Sequence, residues 1–270
     1  MDLIRVSGLI QPTELIKMRF IDSHSHLDFP EFDSNRETII ERARKAGLEK
    51  IIVSATIADR WHLITELENR YPIIASAYGL HPMFMDKHLY EHLELLQTII
   101  KKQKPVAVGE IGLDYFIDGP DKSAQLKLFV QQLEIANEFQ LPVIIHARKS
   151  LDIVLRELRR FPQLKGSIHC FSGSEQQAKQ LIDLGFYLGF GGPITYTRAT
   201  KLRKLLTVLP LESILLETDS PDQPDSSHYG ECNEPSYLPI VAQVIADLRG
   251  ISLSDVAEQT LLNTKNLFNL

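Results

Sequence analysis

Short apolar segments rich in β-branched residues recur along the chain, and amphipathic segments separate them. Because these short segments alternate little between apolar and polar positions, they predict parallel strands that are buried on both faces. The eight predicted strands are Arg19–Asp22, Lys50–Ala55, Ile73–Tyr78, Val106–Glu110, Val143–His146, Ser167–Cys170, Phe186–Phe190 and Ser213–Glu217.

The segments between these strands have helical periodicity. Apolar residues in Thr38–Lys45 and Ala124–Phe139 recur at spacings of three and four, so they share one helical face. Further helices are predicted at about Ser236–Leu248 and Ser252–Phe268. Eight strand–helix units in succession predict an α/β fold, a closed (β/α)₈ TIM barrel in a single domain.

Local signals indicate where some helices begin and end. Ser34 and Ser174 are predicted N-caps, because a Glu or a Gln follows each of them by three residues. Gly47 and Gly185 stand where helices are expected to end.

A chain of 270 residues suits one large barrel or two small domains, and the repeated strand–helix pattern favours one barrel over residues 18–270. Residues 1–17 fall outside this pattern, and Met18 directly precedes the first strand. One hypothesis is that residues 1–17 are an N-terminal extension that is not part of the native protein and that translation begins at Met18.

Composition excludes several classes of protein. Two cysteines are too few for a disulfide framework and fit a reducing compartment. The chain shows neither a secretory signal nor an apolar run of about 18 residues, which predicts a cytoplasmic protein without a membrane partner. The net charge of -6 does not suit a broadly basic surface, so any nucleic acid must be held by local contacts.

Two histidines near the end of the first predicted strand carry the first chemical signal. His24 and His26 are two residues apart, so their side chains point to the same face of a strand. Neutral imidazoles are good ligands for Zn²⁺ and similar ions. An isolated pair of this kind could equally be two polar residues in a turn.

Other metal-binding residue types stand at the ends of other predicted strands. His146 and His169 end strands five and six, whereas Glu110 and Asp219 stand at the ends of strands four and eight. Each residue alone could be a structural group or a helix cap. Because the carboxyl ends of barrel strands converge, the pattern predicts that these four side chains meet the histidines of strand one at one mouth.

Six candidate ligands exceed what one metal ion with an open coordination position needs. A glutamate can bind one cation with each oxygen, so the set favours two divalent metal ions. We therefore predict that Glu110 and Asp219 are the catalytic residues, with Asp219 as the base that accepts a proton from water.

Further polar residues lie near the predicted mouth. Asp28 and His81 are predicted to support the ligands or contact a substrate, whereas Cys170 is predicted to point behind the barrel because it follows His169. Three other histidines are predicted to face solvent on helices: His62, His88 and His92. The best candidates for binding an anion lie just beyond strands five and seven: Arg148, Lys149, Arg198 and Lys201.

The motifs together resemble those of the TatD family of metal-dependent deoxyribonucleases, within the amidohydrolase-like TIM barrels. The resemblance covers essentially residues 18–270. It rests on seven segments: FIDSHSHLD at 20–28, YGLHP at 78–82, VGEIGLDY at 108–115, PVIIHARKS at 142–150, GSIHCFSGS at 166–174, LETDSP at 216–221 and NTKNLF at 263–268.

The resemblance implies hydrolysis of phosphodiester bonds in DNA, as an exonuclease that works from a 3′ end. Single-stranded DNA or 3′ ends are then the expected partner of a monomeric enzyme. Two Mg²⁺ or Mn²⁺ ions would be the working metals, and Zn²⁺ could also occupy the site. Glu110 would bridge the ions, and Arg148 would bind a phosphate of the substrate. His81 is a second predicted substrate-binding residue, from its place near the end of a strand. The implied metal ligands are His24, His26, Glu110, His146, His169 and Asp219.

One segment departs from the family pattern and keeps other functions open. Between Asp222 and Pro235 the chain has Cys232 near a position where Arg is often found, and it carries added acids. An acidic loop beside the site favours an alternative, a metal-dependent hydrolase of a small ester, amide or phosphodiester. A non-catalytic binding protein is a third hypothesis, but none of the six ligands is missing.

Overall fold

Eight parallel strands stand side by side in chain order in the computed structural model, which describes residues 18–117, 119 and 121–270. The proposed extension at residues 1–17 lies outside this described part. The strands are β1 (Phe20–Ser25), β2 (Leu48–Ser54), β3 (Ile74–Tyr78), β4 (Ala107–Asp114), β5 (Val143–Arg148), β6 (Gly166–Ile168), β7 (Phe186–Phe190) and β8 (Ile214–Leu216).

Helices follow the strands and surround them. Within the described part of the chain the α-helices are α1 (Arg36–Lys45), α2 (Trp61–Arg70), α3 (Glu91–Gln103), α4 (Lys122–Glu138), α5 (Leu151–Leu158), α6 (Glu175–Asp183), α7 (Thr200–Val208), α8 (Leu238–Arg249) and α9 (Leu253–Phe268). This order confirms the predicted (β/α)₈ barrel. None of these helices contains a stretch long and apolar enough to cross a membrane.

The segment after β8 closes the ring against β1. The Asp219 N–H donates to the carbonyl oxygen of His24 at 3.0 Å, and the His26 N–H donates to that of Ser220 at 2.8 Å. These backbone bonds place candidate ligands from the first and last strands beside each other. The contacts that close the barrel therefore also bring these candidate ligands together.

Apolar side chains on alternate strand positions build two cores. The larger core lies between the strands and the helices, with buried residues such as Phe20 and Val143 facing outward from the strands. The smaller core contains Ile52, Ala77 and Ile144, whose neighbours in sequence belong to the outer core, together with Phe268 of α9. Alternate residues of a strand point to opposite faces, so this second core fills the barrel interior.

The predicted helix ends are partly right. Ser174 begins α6 in a reciprocal capping box, and both Gly47 and Gly185 adopt positive φ after a helix, as expected. The prediction of an N-cap at Ser34 is wrong, because α1 starts after Asn35 and no side chain caps its first turn. The guanidinium of Arg36, the first residue of the helix, donates to the carbonyl oxygens of Leu27 and Phe29 in the preceding loop.

Candidate metal centre at the barrel mouth

Four ligand atoms from β1, β4 and the end of β8 form a tight group, which we call the first half-site. The Nε2 atoms of His24 and His26 are 3.2 Å apart. Each of them lies 3.2–3.4 Å from Glu110 Oε2 and from Asp219 Oδ1. Ligands bound at about 2.0–2.2 Å in a tetrahedron are roughly 3.3–3.6 Å apart. The spacing of these atoms therefore fits one metal ion.

Ser54, at the end of β2, orients both imidazoles of the first half-site. His26 Nδ1 donates to the Ser54 carbonyl oxygen at 2.8 Å, and the Ser54 hydroxyl lies 3.1 Å from His24 Nδ1. In the neutral ring the proton is on Nδ1, so the Nε2 lone pair of His26 faces the other ligand atoms. These outer hydrogen bonds hold the rings in an orientation suited to metal binding.

The other oxygen of Glu110 faces a separate set of imidazoles, which with that oxygen form the second half-site. Glu110 Oε1 lies 3.1 Å from His146 Nδ1 and 2.7 Å from His169 Nε2, and these two nitrogens are 3.0 Å apart. His146 Nε2 donates to Asp114 Oδ2 at 3.0 Å, so in the neutral ring the Nδ1 lone pair points to the centre. His169 Nδ1 is buried without a hydrogen-bond partner in the described part of the chain.

His81 touches the same centre but does not have the geometry of a ligand. Its Nδ1 accepts a hydrogen bond from the Met83 backbone N–H at 3.1 Å, so the proton of the neutral ring is on Nε2. That Nε2–H donates to Glu110 Oε1 at 2.8 Å. Burial lowers the pKa of His81 to about 4, which keeps the ring neutral. His81 therefore positions Glu110.

The two carboxylates need positive charge that only imidazoles provide. Burial raises the pKa of Glu110 and of Asp219, but the surrounding histidines outweigh burial and hold both pKa values well below normal. Conversely, burial lowers the pKa of His24 and of His146, whereas their carboxylate partners raise it to about 9. Among the described residues no Lys or Arg pairs with either carboxylate. Divalent cations would supply this charge in place of protons.

Cys170 does not point behind the barrel, and that prediction is wrong. Strand β6 ends at Ile168, and Cys170 has a left-handed φ of 45°, so strand alternation no longer sets its direction. Its Sγ lies 3.5 Å from Asp219 Oδ2. Gln223 Nε2 donates to the same Asp219 oxygen at 2.6 Å. Asp219 thus gives one oxygen to the first half-site and has its other oxygen held by neighbours.

Glu217 is a buried acid beside the centre that the sequence reasoning did not select. Its carboxylate accepts a hydrogen bond from the Cys170 backbone N–H at 2.5 Å, and burial raises its pKa to about 8. A Cβ at Gly189 would lie 2.0 Å from Glu217 Oε2. The glycine of β7 therefore leaves room for this side chain. The signal was present in the LETDSP segment, where an acid stands in an otherwise apolar strand end.

Other predicted site residues have mixed outcomes. Asp28 is fully buried, but it pairs with the Arg60 guanidinium at 3.2 Å and not with a ligand. His88 does not face solvent from a helix, because it follows a 3₁₀ segment and its Nε2 donates to the carbonyl oxygen of His81 at 2.8 Å. His62 is exposed on α2, as predicted.

A cleft of about 570 Å³ opens above the centre, and one predicted anion-binding residue lines it. Arg148 reaches the cleft from the end of β5, and its guanidinium carbon lies 3.8 Å from the centre of the Phe116 ring. Lys149 is exposed beside the same ring, 4.6 Å from its centre. Arg198 and Lys201 are exposed but do not line the cleft. Arg148 is thus the predicted cation best placed to meet a bound anion.

The loop after β8 presents less negative charge to the cleft than its sequence indicates. Asp225 is buried and caps a short 3₁₀ segment, and buried Glu234 forms an ion pair with Arg42 of α1. Asp222 is exposed and lines the cleft, whereas Glu231 is exposed but does not line it. Two of the four acids are therefore structural, which weakens the argument against an anionic substrate.

Comparisons with known proteins agree with this geometry. The model of the family described as TatD related DNase matches residues 21–269. The Escherichia coli K12 protein YjjV, an uncharacterised metal-dependent hydrolase by name, is 43% identical over 255 residues, 93% of this chain and 98% of that protein. Its crystal structure has a TM-score of 0.90 at 42% identity and covers 94% of this chain and 99% of its own. The Danio rerio protein "Putative deoxyribonuclease tatdn3" is 33% identical over 93% of this chain and 97% of its own length.

Proposed function

We propose, because the chain belongs to the TatD related DNase family, that its metal centre hydrolyses phosphodiester bonds in DNA. Membership confirms the family and the enzyme class predicted from the sequence motifs, a metal-dependent hydrolase that acts on ester bonds. The metal number, the metal identity and the direction of attack on DNA belong to the proposal.

The proposal rests on the position of the Glu110 carboxylate, whose two oxygens contact two different sets of imidazoles. Glu110 Oε2 lies against His24 and His26, whereas Glu110 Oε1 lies against His146 and His169. A carboxylate in this position is suited to bridge two cations. The arrangement supports a binuclear centre with six protein ligands, the five residues named here and Asp219.

Two divalent cations, when bound, would lower the pKa of a coordinated water and offset the negative charge of the phosphate. Mg²⁺ and Mn²⁺ are suited to this chemistry, and Zn²⁺ is a further candidate. The protein residues have defined tasks around that reaction. Asp219 lines the cleft, where its carboxylate can accept the proton of the attacking water. Arg148 can bind a phosphate oxygen, and His81 keeps Glu110 in position by its hydrogen bond.

The finer assignment follows the family resemblance. We propose exonuclease action from a 3′ end on single-stranded DNA, by a monomeric enzyme in the cytoplasm. One half-exposed arginine, Arg148, beside a cleft of about 570 Å³ suits the end of a single strand. A protein that binds duplex DNA along its length would need a broad basic surface. The negative net charge of -6 supports the same choice.

The proposal is tested with a single-stranded oligonucleotide that carries a 5′ label, incubated with Mg²⁺ or Mn²⁺. We expect a ladder of products shortened from the 3′ end, which requires the metal and disappears in the Asp219→Asn variant. A 3′-labelled copy should release labelled mononucleotide from the first turnover. Equal metal-dependent rates for wild type and Asp219→Asn would contradict the proposal, and internal cleavage products would contradict only the exonuclease assignment.

A further inference from the structure

The cleft has an apolar side that the metal chemistry does not use. Phe29 stacks on His26 of the first half-site, with ring centres 4.8 Å apart and planes inclined by 24°. Phe84 packs against His81, with ring centres 5.8 Å apart. Both rings line the cleft and are half-buried, and Met83 beside them is 39% exposed. Apolar surface next to a hydrolytic centre is unneeded for the reaction itself.

A positively charged side chain, Arg148, lies at the end of β5. The side chain of Arg148 is 49% exposed and lies over the ring of Phe116, which is also exposed. The Phe116 backbone N–H donates to Asp114 Oδ1 at 2.9 Å, and the other oxygen of Asp114 holds His146. Asp114 thus links the backbone at Phe116 to the second half-site, and the Arg148 guanidinium lies over the Phe116 ring beside it.

These two sides match the two parts of a nucleotide. We propose that Phe29, Met83 and Phe84 form a binding site for an unpaired nucleobase beside the scissile phosphate, while Arg148 on Phe116 binds a neighbouring phosphate. This inference rests on the proposed nuclease function and adds the substrate's base to it. A flat base has an apolar face that stacks on aromatic rings. The nearest carboxylate oxygen to the Arg148 guanidinium, Asp114 Oδ2, lies 4.0 Å from Nη1, beyond hydrogen-bond distance, and already accepts from His146. The half-exposed guanidinium can therefore also bind a phosphate of the nucleotide.

Base pairing is incompatible with such a site. A base that lies on Phe29 and Phe84 must leave the stack of a duplex, which costs a few kcal/mol for a paired base and less for an unpaired one. The apolar side therefore selects single-stranded ends by the free energy of unstacking. Stacking on aromatic side chains tolerates all four bases, so the site would contribute affinity with little sequence preference.

Abasic oligonucleotides separate this inference from the proposed function. Three single-stranded substrates are compared with Mn²⁺: one with normal bases, one with a tetrahydrofuran abasic residue at the 3′ end, and one with it at the penultimate position. We expect wild type to lose about 5- to 100-fold in kcat/KM on one of the two abasic substrates, chiefly through KM. Cleavage of none of the three would overturn the nuclease proposal and this inference together.

Substitutions of Phe84 test whether the loss of kcat/KM on the abasic substrate comes from the apolar side of the cleft. Phe84→Ala should lose about 5- to 100-fold on the normal substrate and show little further loss on the sensitive abasic one, because the partner of the ring is already absent. Phe84→Trp should retain binding, and thermal unfolding of both variants checks the fold. Tyr229→Ala is the matched control, since Tyr229 is 74% exposed and does not line the cleft.

Two outcomes overturn the inference while the enzyme remains a nuclease. In one, wild type cleaves all three substrates with equal kcat/KM. In the other, Phe84→Ala loses the same factor on normal and abasic substrates, which would mean that Phe84 supports the fold or His81 and not a base. Arg148→Ala should differ from Phe84→Ala, because loss of a phosphate contact weakens normal and abasic substrates alike and lowers the salt dependence.

Discussion

The two half-sites share Glu110 but hold their imidazoles in different ways. In the first half-site, neutral groups of one residue, Ser54, contact both Nδ1 atoms, and the side chains of His24 and His26 are only 0% and 6% exposed. In the second, a carboxylate holds His146, whose side chain is 14% exposed. The first has four ligand atoms in place and the second has three.

This difference bears on how firmly each half-site would hold a cation. The fourth ligand atom favours the first half-site, because more of the coordination shell is supplied by fixed protein atoms. The second half-site leaves more positions open toward the cleft and Arg148. We therefore expect the first half-site to bind a divalent ion more tightly and the second to exchange its ion with solvent and substrate more readily.

The most severe test removes the residue that both half-sites share. Glu110→Gln removes the negative charge that both half-sites share. The positive charge of bound cations or protonated imidazoles is then uncompensated, which costs about 3–5 kcal/mol in a buried site. We expect loss of both bound ions and a fall in DNA cleavage of about 10²- to 10³-fold. Metal content and cleavage rate are the measurements. Glu157→Gln is the control, since Glu157 is a buried acid that pairs with Arg156 and Arg160. Retention of two ions by Glu110→Gln would contradict the shared role.

Asp114→Asn acts on the second half-site alone. The amide can donate to His146 Nε2 and so stabilise the tautomer whose Nδ1 carries a proton, which blocks metal binding there. We expect about 10- to 100-fold weaker binding of the second Mn²⁺ ion and no change for the first, measured by calorimetric titration. Asp225→Asn changes a buried aspartate that caps the loop after β8, and it should leave both affinities unaltered. Equal weakening of both ions would show that the half-sites are not separable.

Acid should release the metal ions. The pKa of His146 in the metal-free protein is raised to about 9, so at pH 7 Nδ1 carries a proton that a metal ion must displace. Affinity therefore falls as pH falls, by about tenfold per pH unit for each displaced proton, and levels off above about pH 9. In the first half-site both His24 and His26 have raised pKa values, so its pH dependence should be steeper. Mn²⁺ titrations between pH 6 and 8 measure both slopes, and equal affinities at the two pH values would refute the expectation.

The sequence predicted the barrel and the six proposed ligands because both depend on local patterns. A buried strand has an apolar sequence whatever it packs against. A polar residue at its end points into the barrel mouth if it lies an odd number of positions from an outward-facing residue of the same strand. His146 and His169 satisfy both conditions, since Val143 and Ile168 of their strands face outward. His24 and His26 share the parity of outward-facing Phe20, but the register of β1 shifts after Phe20. The structure brings all four histidines together around Glu110. Their roles as metal ligands stay predictions until an ion is measured.

What the sequence did not predict depends on distances between strands. Asp114 was not selected, because only the register of β4 against β5 shows that it reaches His146. Cys170 was misplaced, because its left-handed backbone ends the alternation of β6. The donor role of His81 requires the Met83 N–H, which fixes the tautomer and is invisible in a motif. In each case a contact between segments decides the role of the side chain.

The smallest expected effect on metal affinity comes from removing the Ser54 hydroxyl, the neutral partner of His24 in the first half-site. Ser54→Ala removes the hydroxyl 3.1 Å from His24 Nδ1 and keeps the backbone carbonyl that holds His26. A neutral hydrogen bond contributes about 0.5–1.5 kcal/mol, so Mn²⁺ binding at the first half-site should weaken by about 2- to 10-fold.

The matched control for this change is Ser76→Ala, which deletes a buried hydroxyl on β3 that donates to Glu68, outside the centre. Calorimetry on Ser54→Ala, Ser76→Ala and Asp114→Asn then compares a neutral and a charged support within one protein. A loss in Ser54→Ala as large as that in Asp114→Asn would mean that charge on the outer partner does not distinguish the half-sites. The number of ligand atoms and their burial would then be left to account for any difference in affinity.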